Sequence, residues 1–374
     1  MPKIRLIEPA REHEPLREAL ASAFMETLDS GRYILGPSVN AFEASLVARY
    51  QARHALAVKS GTDALLLALM SLGVGPGDEV ITTPFTFFAT AGAIARLGAR
   101  PVFVDIADDL LLDIDRALEA IGPKTRAIIA VHLFGEAQEL RPLAQELRPL
   151  SIALIEDAAQ AEGARSTSGT FAGAFGDFGC FSYFPTKNLG ALGDGGALLI
   201  REANHYERAR RLRAHGAHPK YTHHEVGGNF RMDELTAAIL RIKQSRMDER
   251  IEQRRAHARE YIERLGHLDP ALLRLPAWTP SQSFNIFTLR TPRRDALKEA
   301  LTAAGIESAI YYPLPLHLQP CFRELGYEPG SLPNAERAAT EVLSIPVHPD
   351  LSPDERDYLI ETILNFFSAA DSAR

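Results

Sequence analysis

Short runs of apolar β-formers alternate with longer Ala- and Leu-rich stretches through the first half of the chain. Ala55-Leu-Ala-Val58 precedes residues 62–72, Glu79-Val-Ile-Thr82 precedes 87–97, and Pro101-Val-Phe-Val-Asp105 precedes 114–121. Arg126-Ala-Ile-Ile-Ala-Val131 then precedes 136–147, and Ile152-Ala-Leu-Ile-Glu-Asp157 follows. This βαβα rhythm predicts an α/β fold with a mostly parallel sheet between helices. Ligands of such sheets bind at the carboxyl ends of strands, and Gly61, Thr62, Asp157 and Gln160 all fall just after predicted strands. Residues 233 to about 265 read as one long charged helix, with Leu235, Ile239, Ile242 and Met247 on its apolar face. Residues 1–232 are therefore expected to form a large domain, and 233–374 the linking helix and a smaller C-terminal α+β domain. Ser283-Phe-Asn-Ile-Phe-Thr-Leu289 and a helix over 294–304 belong to the latter, and residues 368–374 are expected to fray.

Composition narrows the class. A chain of 374 residues suits two domains sharing a cleft, and 46% hydrophobic against 24% charged residues permits a large core. A net charge of −7 argues against a general nucleic-acid binder. Two cysteines, Cys180 and Cys321, make neither a disulfide framework nor a zinc spacing and fit a reducing compartment. The opening Met1-Pro-Lys-Ile-Arg-Leu-Ile-Glu-Pro9 lacks the apolar core of a signal peptide, and the apolar run 64–74 is too short to span a bilayer. A soluble, cytoplasmic protein without membrane contact is expected. His215, His218, His223 and His224 have no nearby cysteine, so no metal site is assigned to them.

The chemistry-bearing residues stand between these elements. Gly179-Cys-Phe-Ser-Tyr-Phe-Pro-Thr-Lys-Asn-Leu-Gly-Ala-Leu-Gly-Asp-Gly-Gly196 places Lys187 in an apolar, glycine-flanked stretch, where desolvation makes a lysine nucleophilic. Asp157 ends an apolar run. A lysine able to form a Schiff base and a remote aspartate able to hold a pyridinium nitrogen are the minimum set for pyridoxal phosphate chemistry. Asp157 could instead cap a following helix. In Ser60-Gly-Thr-Asp-Ala-Leu-Leu-Leu67 a strand gives way to a helix whose free amides favour an anion; Thr62 either adds a donor or caps that helix. Pro84-Phe-Thr-Phe-Phe-Ala-Thr90 offers an aromatic to a flat ring or to the core. Asn229 and Arg231, in Gly227-Gly-Asn-Phe-Arg-Met-Asp-Glu-Leu235, could donate to phosphate.

Taken together, these segments resemble the DegT/DnrJ/EryC1/StrS family, sugar aminotransferases of the type I pyridoxal-phosphate fold. The resemblance also covers Gly31-Arg-Tyr-Ile-Leu-Gly-Pro-Ser-Val-Asn-Ala-Phe-Glu43, Val131-His-Leu-Phe-Gly135 and Tyr312-Pro-Leu-Pro-Leu-His317, and so nearly the whole length. It implies pyridoxal 5'-phosphate carried by Lys187 as an internal aldimine, with Asp157 at the ring nitrogen and Gln160 near the phenolate oxygen. It puts Phe87 on the ring face, Gly61, Thr62 and Ser182 at the phosphate, and Asn229 at the phosphate of the other subunit of a homodimer. Arg231, Tyr312 and His317 match regions near a nucleotide-sugar. Lys59 and Thr236 depart from the common pattern without touching this chemistry. Family branches that dehydrate sugars carry histidine at position 187, so lysine there implies amino transfer. The expected reaction moves an amino group from an amino acid, L-glutamate, to a nucleotide-linked keto-sugar. Arg213-Ala-His-Gly216 and 231–235 look closer to 3-keto than to 4-keto members. A cyclitol-ketone aminotransferase and a non-catalytic regulatory protein are the alternatives.

Overall fold

Residues 4–371 are described here by a computed structural model. Its main sheet has seven strands: β1 (His54–Val58), β2 (Glu79–Thr82), β3 (Arg100–Phe103), β4 (Thr125–Val131), β5 (Ala153–Asp157), β6 (Phe178–Ser182) and β7 (Gly196–Ile200). Their order is β1-β7-β6-β5-β4-β2-β3, and only β7 runs against its neighbours. β5 and β7 are buried along their whole length, which is why β7 reads as an apolar run and β5 does so up to Glu156 and Asp157. On one face Leu65, Leu67, Ile94 and Leu212 pack against Ile129, Ile155 and Leu198. Phe42, Leu46 and Leu240 meet Phe181 and Leu199 in a second cluster. The pattern located β1 to β5; β6 lies inside the segment singled out for its lysine, and β7 follows that segment.

The C-terminal unit pairs β8 (Phe287–Arg290) antiparallel with β9 (Val342–Ile345). Tyr261, Phe287, Leu297 and Ile363 form its core, with helices Met247–Leu265, Arg294–Ala303 and Pro353–Asp371. Ile4 joins that core from the other end of the chain: its N–H donates to Gly305 O at 3.0 Å, and Glu307 N donates to Ile4 O at 2.8 Å.

Several expected boundaries move. The long helix over 233–265 is two helices, Glu234–Gln244 and Met247–Leu265. Ser245 Oγ donates to Ile242 O at 2.7 Å, and Arg246 turns to φ −107, ψ 0. The apolar stripe is also interrupted there by buried Lys243, paired with Glu12 at 3.0 Å. The helix expected over 136–147 begins only at Arg141. Gln138 is diverted, its N–H donating to His132 Nδ1 at 3.1 Å and its Nε2 to Leu112 O at 2.7 Å. The last helix continues to Asp371, so of the residues expected to fray, 372–374 lie outside those described.

Candidate active site

The site is assembled where β1, β5 and β6 end. After β1, Ser60 Oγ accepts from Asp63 N at 3.1 Å and caps the helix Gly61–Leu72. Ser60 is therefore the cap, and Thr62 lies in the first turn. A Cβ on Gly61 would sit 2.7 Å from Ser182 Cβ, so only glycine lets this helix start approach the end of β6. The start of this helix, which carries Thr62, thus lies against Ser182, and its free first-turn amides suit a phosphate.

Asp157, at the end of β5, pairs in register with Cys180 on β6, two residues before Ser182. It is 6% exposed. Its Oδ2 accepts from Thr90 Oγ1 at 2.8 Å and its Oδ1 from Ala159 N at 3.2 Å. Burial pushes its pKa up, against the hydrogen bonds from Thr90 and Ala159 and the charges of Lys187 and His132. The helix that Asp157 could have capped is not there: residues 158–177 hold turns and bends. A desolvated carboxyl with this few donors is a place for a cation, and a pyridinium N–H fits it.

Lys187 follows in the turn after β6, its N–H donating to Phe184 O at 2.9 Å. The residue is half-buried, and desolvation lowers its ammonium from 10.5 to about 8, with Asp157 pulling the other way. Asn188 anchors this turn, its Nδ2 donating to Glu162 O and Ser283 O at 3.3 Å each. Gln160 Oε1 accepts from Phe134 N at 2.8 Å, and its Nε2 donates to Tyr312 OH at 3.1 Å. Burial raises the Tyr312 pKa. Phe87 is 59% exposed, with its ring centroid 6.3 Å from that of Tyr312, so it has a face free for a flat ring.

Charge interactions join Lys187 and Tyr312 to Asp157, and contacts link Tyr312 to Gln160 and to Phe87, with Gly61, Thr62 and Ser182 on the adjoining strand ends. Asn229 and Arg231 lie beside the end of β1, where Arg231 pairs with Val58 and Asn229 lines one pocket with Ser60, while His317 sits in the short turn 316–318. Asn229 is exposed and accepts from Arg231 Nε at 3.0 Å, in the loop before Glu234–Gln244. His317 is 1% exposed, its Nε2 3.1 Å from Glu336 Oε1 and its ring edge-on to Tyr327. Burial lowers its pKa in spite of Glu336. Two of the four loop histidines bond the backbone of the other two, His223 Nδ1 on His215 O at 2.9 Å and His224 Nε2 on His218 O at 2.6 Å. Among the described residues no cluster of His, Cys, Asp and Glu is arranged to hold a metal, and no helix is long and apolar enough to cross a membrane.

Sequence reasoning missed Thr90 and the pair behind Asp157. Glu156 and His132 are fully buried, with Glu156 Oε2 2.8 Å from His132 Nε2. Glu156 also accepts from the N–H groups of Gly173, Phe175 and Gly176 at 2.6 to 2.7 Å. Gln138 N donates to His132 Nδ1, so the network assigns the imidazole proton to Nε2. Strand alternation could have flagged this: adjacent carboxylates on one strand face opposite sides of the sheet, so only one of them can serve the site.

A sequence profile described as the DegT/DnrJ/EryC1/StrS aminotransferase family matches residues 15–364. The "pleiotropic regulatory protein" of Geobacillus stearothermophilus is 44% identical, over 97% of this chain and 98% of its own length. The dTDP-3-amino-3,4,6-trideoxy-alpha-D-glucose transaminase of Streptomyces venezuelae is 39% identical, over 100% of this chain and 98% of its own. The crystal structure of S. venezuelae DesV in complex with a ketimine intermediate matches at a TM-score of 0.93 and 40% identity, covering 97% of this chain and 98% of that one.

Proposed function

The chain belongs to the DegT/DnrJ/EryC1/StrS aminotransferase family, and from that premise we propose that it transfers an amino group from L-glutamate to carbon 3 of a nucleotide-linked keto-sugar. It is a pyridoxal phosphate-dependent aminotransferase, related to enzymes that act on sugars. The observation that carries the reading is a buried carboxyl, Asp157, two residues in register from the strand end where Ser182 meets the helix start at Gly61, with the desolvated Lys187 in the turn that follows.

In this reading Gly61, Thr62 and Ser182 hold the phosphate, Asp157 the ring nitrogen, Gln160 the phenolate side and Phe87 one face of the ring. Bound there, the cofactor supplies an electron sink for the carbanion at the amino-bearing carbon. Lys187 Nζ, freed from the cofactor, takes the proton from that carbon and returns it elsewhere, as base and then acid. An amine titrating at about 8 holds both forms in quantity near neutral pH. Asp157 stays ionised once a cation faces it, because the opposite charge offsets the cost of its burial. Arg231, Tyr312 and His317 are assigned to the nucleotide-sugar. Asn229, exposed and joined in its own chain only to Arg231 among the site residues, is assigned to the partner's phosphate in a homodimer. Carbon 3 is supported by the relative named for a 3-amino sugar.

The test is a panel of UDP-, dTDP- and GDP-linked 3-keto and 4-keto sugars and cyclitol ketones, each offered with L-glutamate and read by mass spectrometry. Amination of a 3-keto sugar is expected, with none by the Lys187→Ala variant. Turnover by that variant removes Lys187 from its role, and amination of only the 4-keto sugars or cyclitols moves the substrate. A regulatory role is the second reading, favoured by the name of the G. stearothermophilus relative. Purified protein that binds the cofactor but converts no amino donor decides for it.

A further inference from the structure

Arg254 is 8% exposed, on the buried face of the helix Met247–Leu265 that also carries Arg250, His257 and Tyr261. Among the described residues its guanidinium makes no hydrogen bond and no ion pair. Its nitrogens are not among the sealed polar atoms that lack a partner, so the little surface Arg254 keeps includes them. A guanidinium taken this far out of water without a partner is costly, since nothing replaces the hydration it has lost. Burial, and then Arg250 one turn away, lower its pKa to about 10, against the pull of Glu12 and Asp350.

Both of those carboxylates are already engaged. Arg250 donates to the two oxygens of Asp350 at 2.7 and 3.1 Å. Glu12 Oε1 lies 3.0 Å from Lys243 Nζ and 3.8 Å from Arg250 Nε. The charges around this core cancel in pairs: Arg356 with Glu260, Arg11 with Glu355, Arg246 with Glu249 and Arg5 with Glu8. The nearby histidines add no charge at neutral pH. Burial lowers His13 and pushes His257 and His348 to about 4, with Arg356 the next cause for His257 and Arg254 for His348. Lys243, Arg250 and Arg254 therefore face only Glu12 and Asp350, and one positive charge is left over. Arg250 and Arg254, four residues apart on one helix, also repel each other. A neutral ligand would leave that excess in place, and a dianion would reverse it.

We propose that Arg254 holds a small inorganic monoanion, of chloride's size. Its place is the joint between the N-terminal helix Pro9–His13, the helices Glu234–Gln244 and Met247–Leu265, and the segment that follows β9. The guanidinium N–H groups donate to the anion, the charge of Arg250 adds to the attraction, and the cluster becomes neutral. The small opening at Arg254 excludes a nucleotide or a sugar phosphate. None of these residues belongs to the catalytic face, so the anion acts on the joint: it fastens the N-terminal segment and the C-terminal unit to the helices between them.

Thermal unfolding of the holoenzyme at constant ionic strength, with sodium chloride replacing sodium gluconate, tests the site. Gluconate carries the same charge on a frame too large for so closed a position. A ligand held only by the folded chain raises Tm with the logarithm of its concentration, so Tm should climb by about 2 °C for each tenfold rise in chloride above its Kd. Arg254→Met keeps the apolar stem and removes the charge, and its Tm should be the same in both salts. A second measurement needs no variant: wild-type crystals soaked in sodium bromide should show an anomalous peak against the Arg254 guanidinium. Equal wild-type Tm in the two salts, a chloride response retained by Arg254→Met, or no bromide at Arg254 each overturns the proposal. Neither measurement reads turnover, so this result and the keto-sugar panel fail separately.

Discussion

Thr90 Oγ1 donates to Asp157 Oδ2 at 2.8 Å and lies 3.1 Å from Thr86 Oγ1, so one hydroxyl carries much of the carboxylate's local support. A hydrogen bond to a charged group contributes about 1.5–3 kcal/mol. Thr90→Val keeps the shape, removes that support and lets burial push Asp157 further toward its neutral form. Affinity of the apoprotein for pyridoxal phosphate should then fall roughly ten- to a hundredfold, read by fluorescence titration; unchanged affinity would separate Asp157 from the ring. Lys187 gives a second prediction at this scale. Its amine sheds its proton near pH 8, below the ordinary 10.5, so the neutral nucleophile accumulates as pH rises through 8. Stopped-flow uptake of the cofactor should accelerate between pH 7 and 9 and then level off. Acceleration continuing toward 10.5 would mean the lysine is solvated. Asp157 and Lys187 were legible because a charge in an apolar run needs a reason. Thr90 was not, since a threonine early in a helix reads as ordinary. Nor was Ser60, one of three adjacent small residues of which only geometry selects the cap.

Elements were legible where one period governed them and lost where distant side chains intervened. The strands β1, β2, β4 and β5 fall within one residue of the apolar runs that predicted them. The helix over 233–265 was drawn too long because charge patterning does not reveal a serine that bonds back to its own last turn. Tertiary help of the same kind starts the helix Pro37–Tyr50. Glu234, 3% exposed and far along the chain, accepts from Ser38 N and, at 3.3 Å, from Val39 N. It supplies the carboxylate this N-terminus lacks locally, since Gly36 offers no capping side chain. A Cβ on Gly36 would lie 2.7 Å from Glu234 Oε2, so the two positions constrain each other. Glu234→Ala should cost about 1–3 kcal/mol in urea unfolding of the holoenzyme. Gly36→Ala should also destabilise, and the double variant should lose less than the two single losses added together. Simple additivity would mean that the carboxylate moves aside freely.

At the scale of the molecule, the described chain leaves Asn229 solvent-exposed and several large apolar side chains uncovered. Phe24 and Leu28 are 51% and 49% exposed, one turn apart on the helix Arg17–Ser30, and Phe87, Phe184 and Leu192 are about as open near the site. Apolar surface of this kind asks for a partner, and the proposed homodimer would answer two requirements at once: it would cover Phe24 and Leu28 and, in that reading, lend Asn229 to the other subunit's phosphate. The second requirement can be separated from the first by mixing. Lys187→Ala protomers lack the amine in every site, and Asn229→Ala protomers lack the amide that each is held to lend. If the amide crosses the interface, a mixed dimer contains one site with both defects and one with neither. Refolding equal amounts together makes half the dimers mixed, so activity should return to about a quarter of the wild-type value, with sedimentation confirming dimers in each sample. If Asn229 served its own chain, each mixed dimer would hold one site of each single defect, and mixing would add nothing to the average of the two parents.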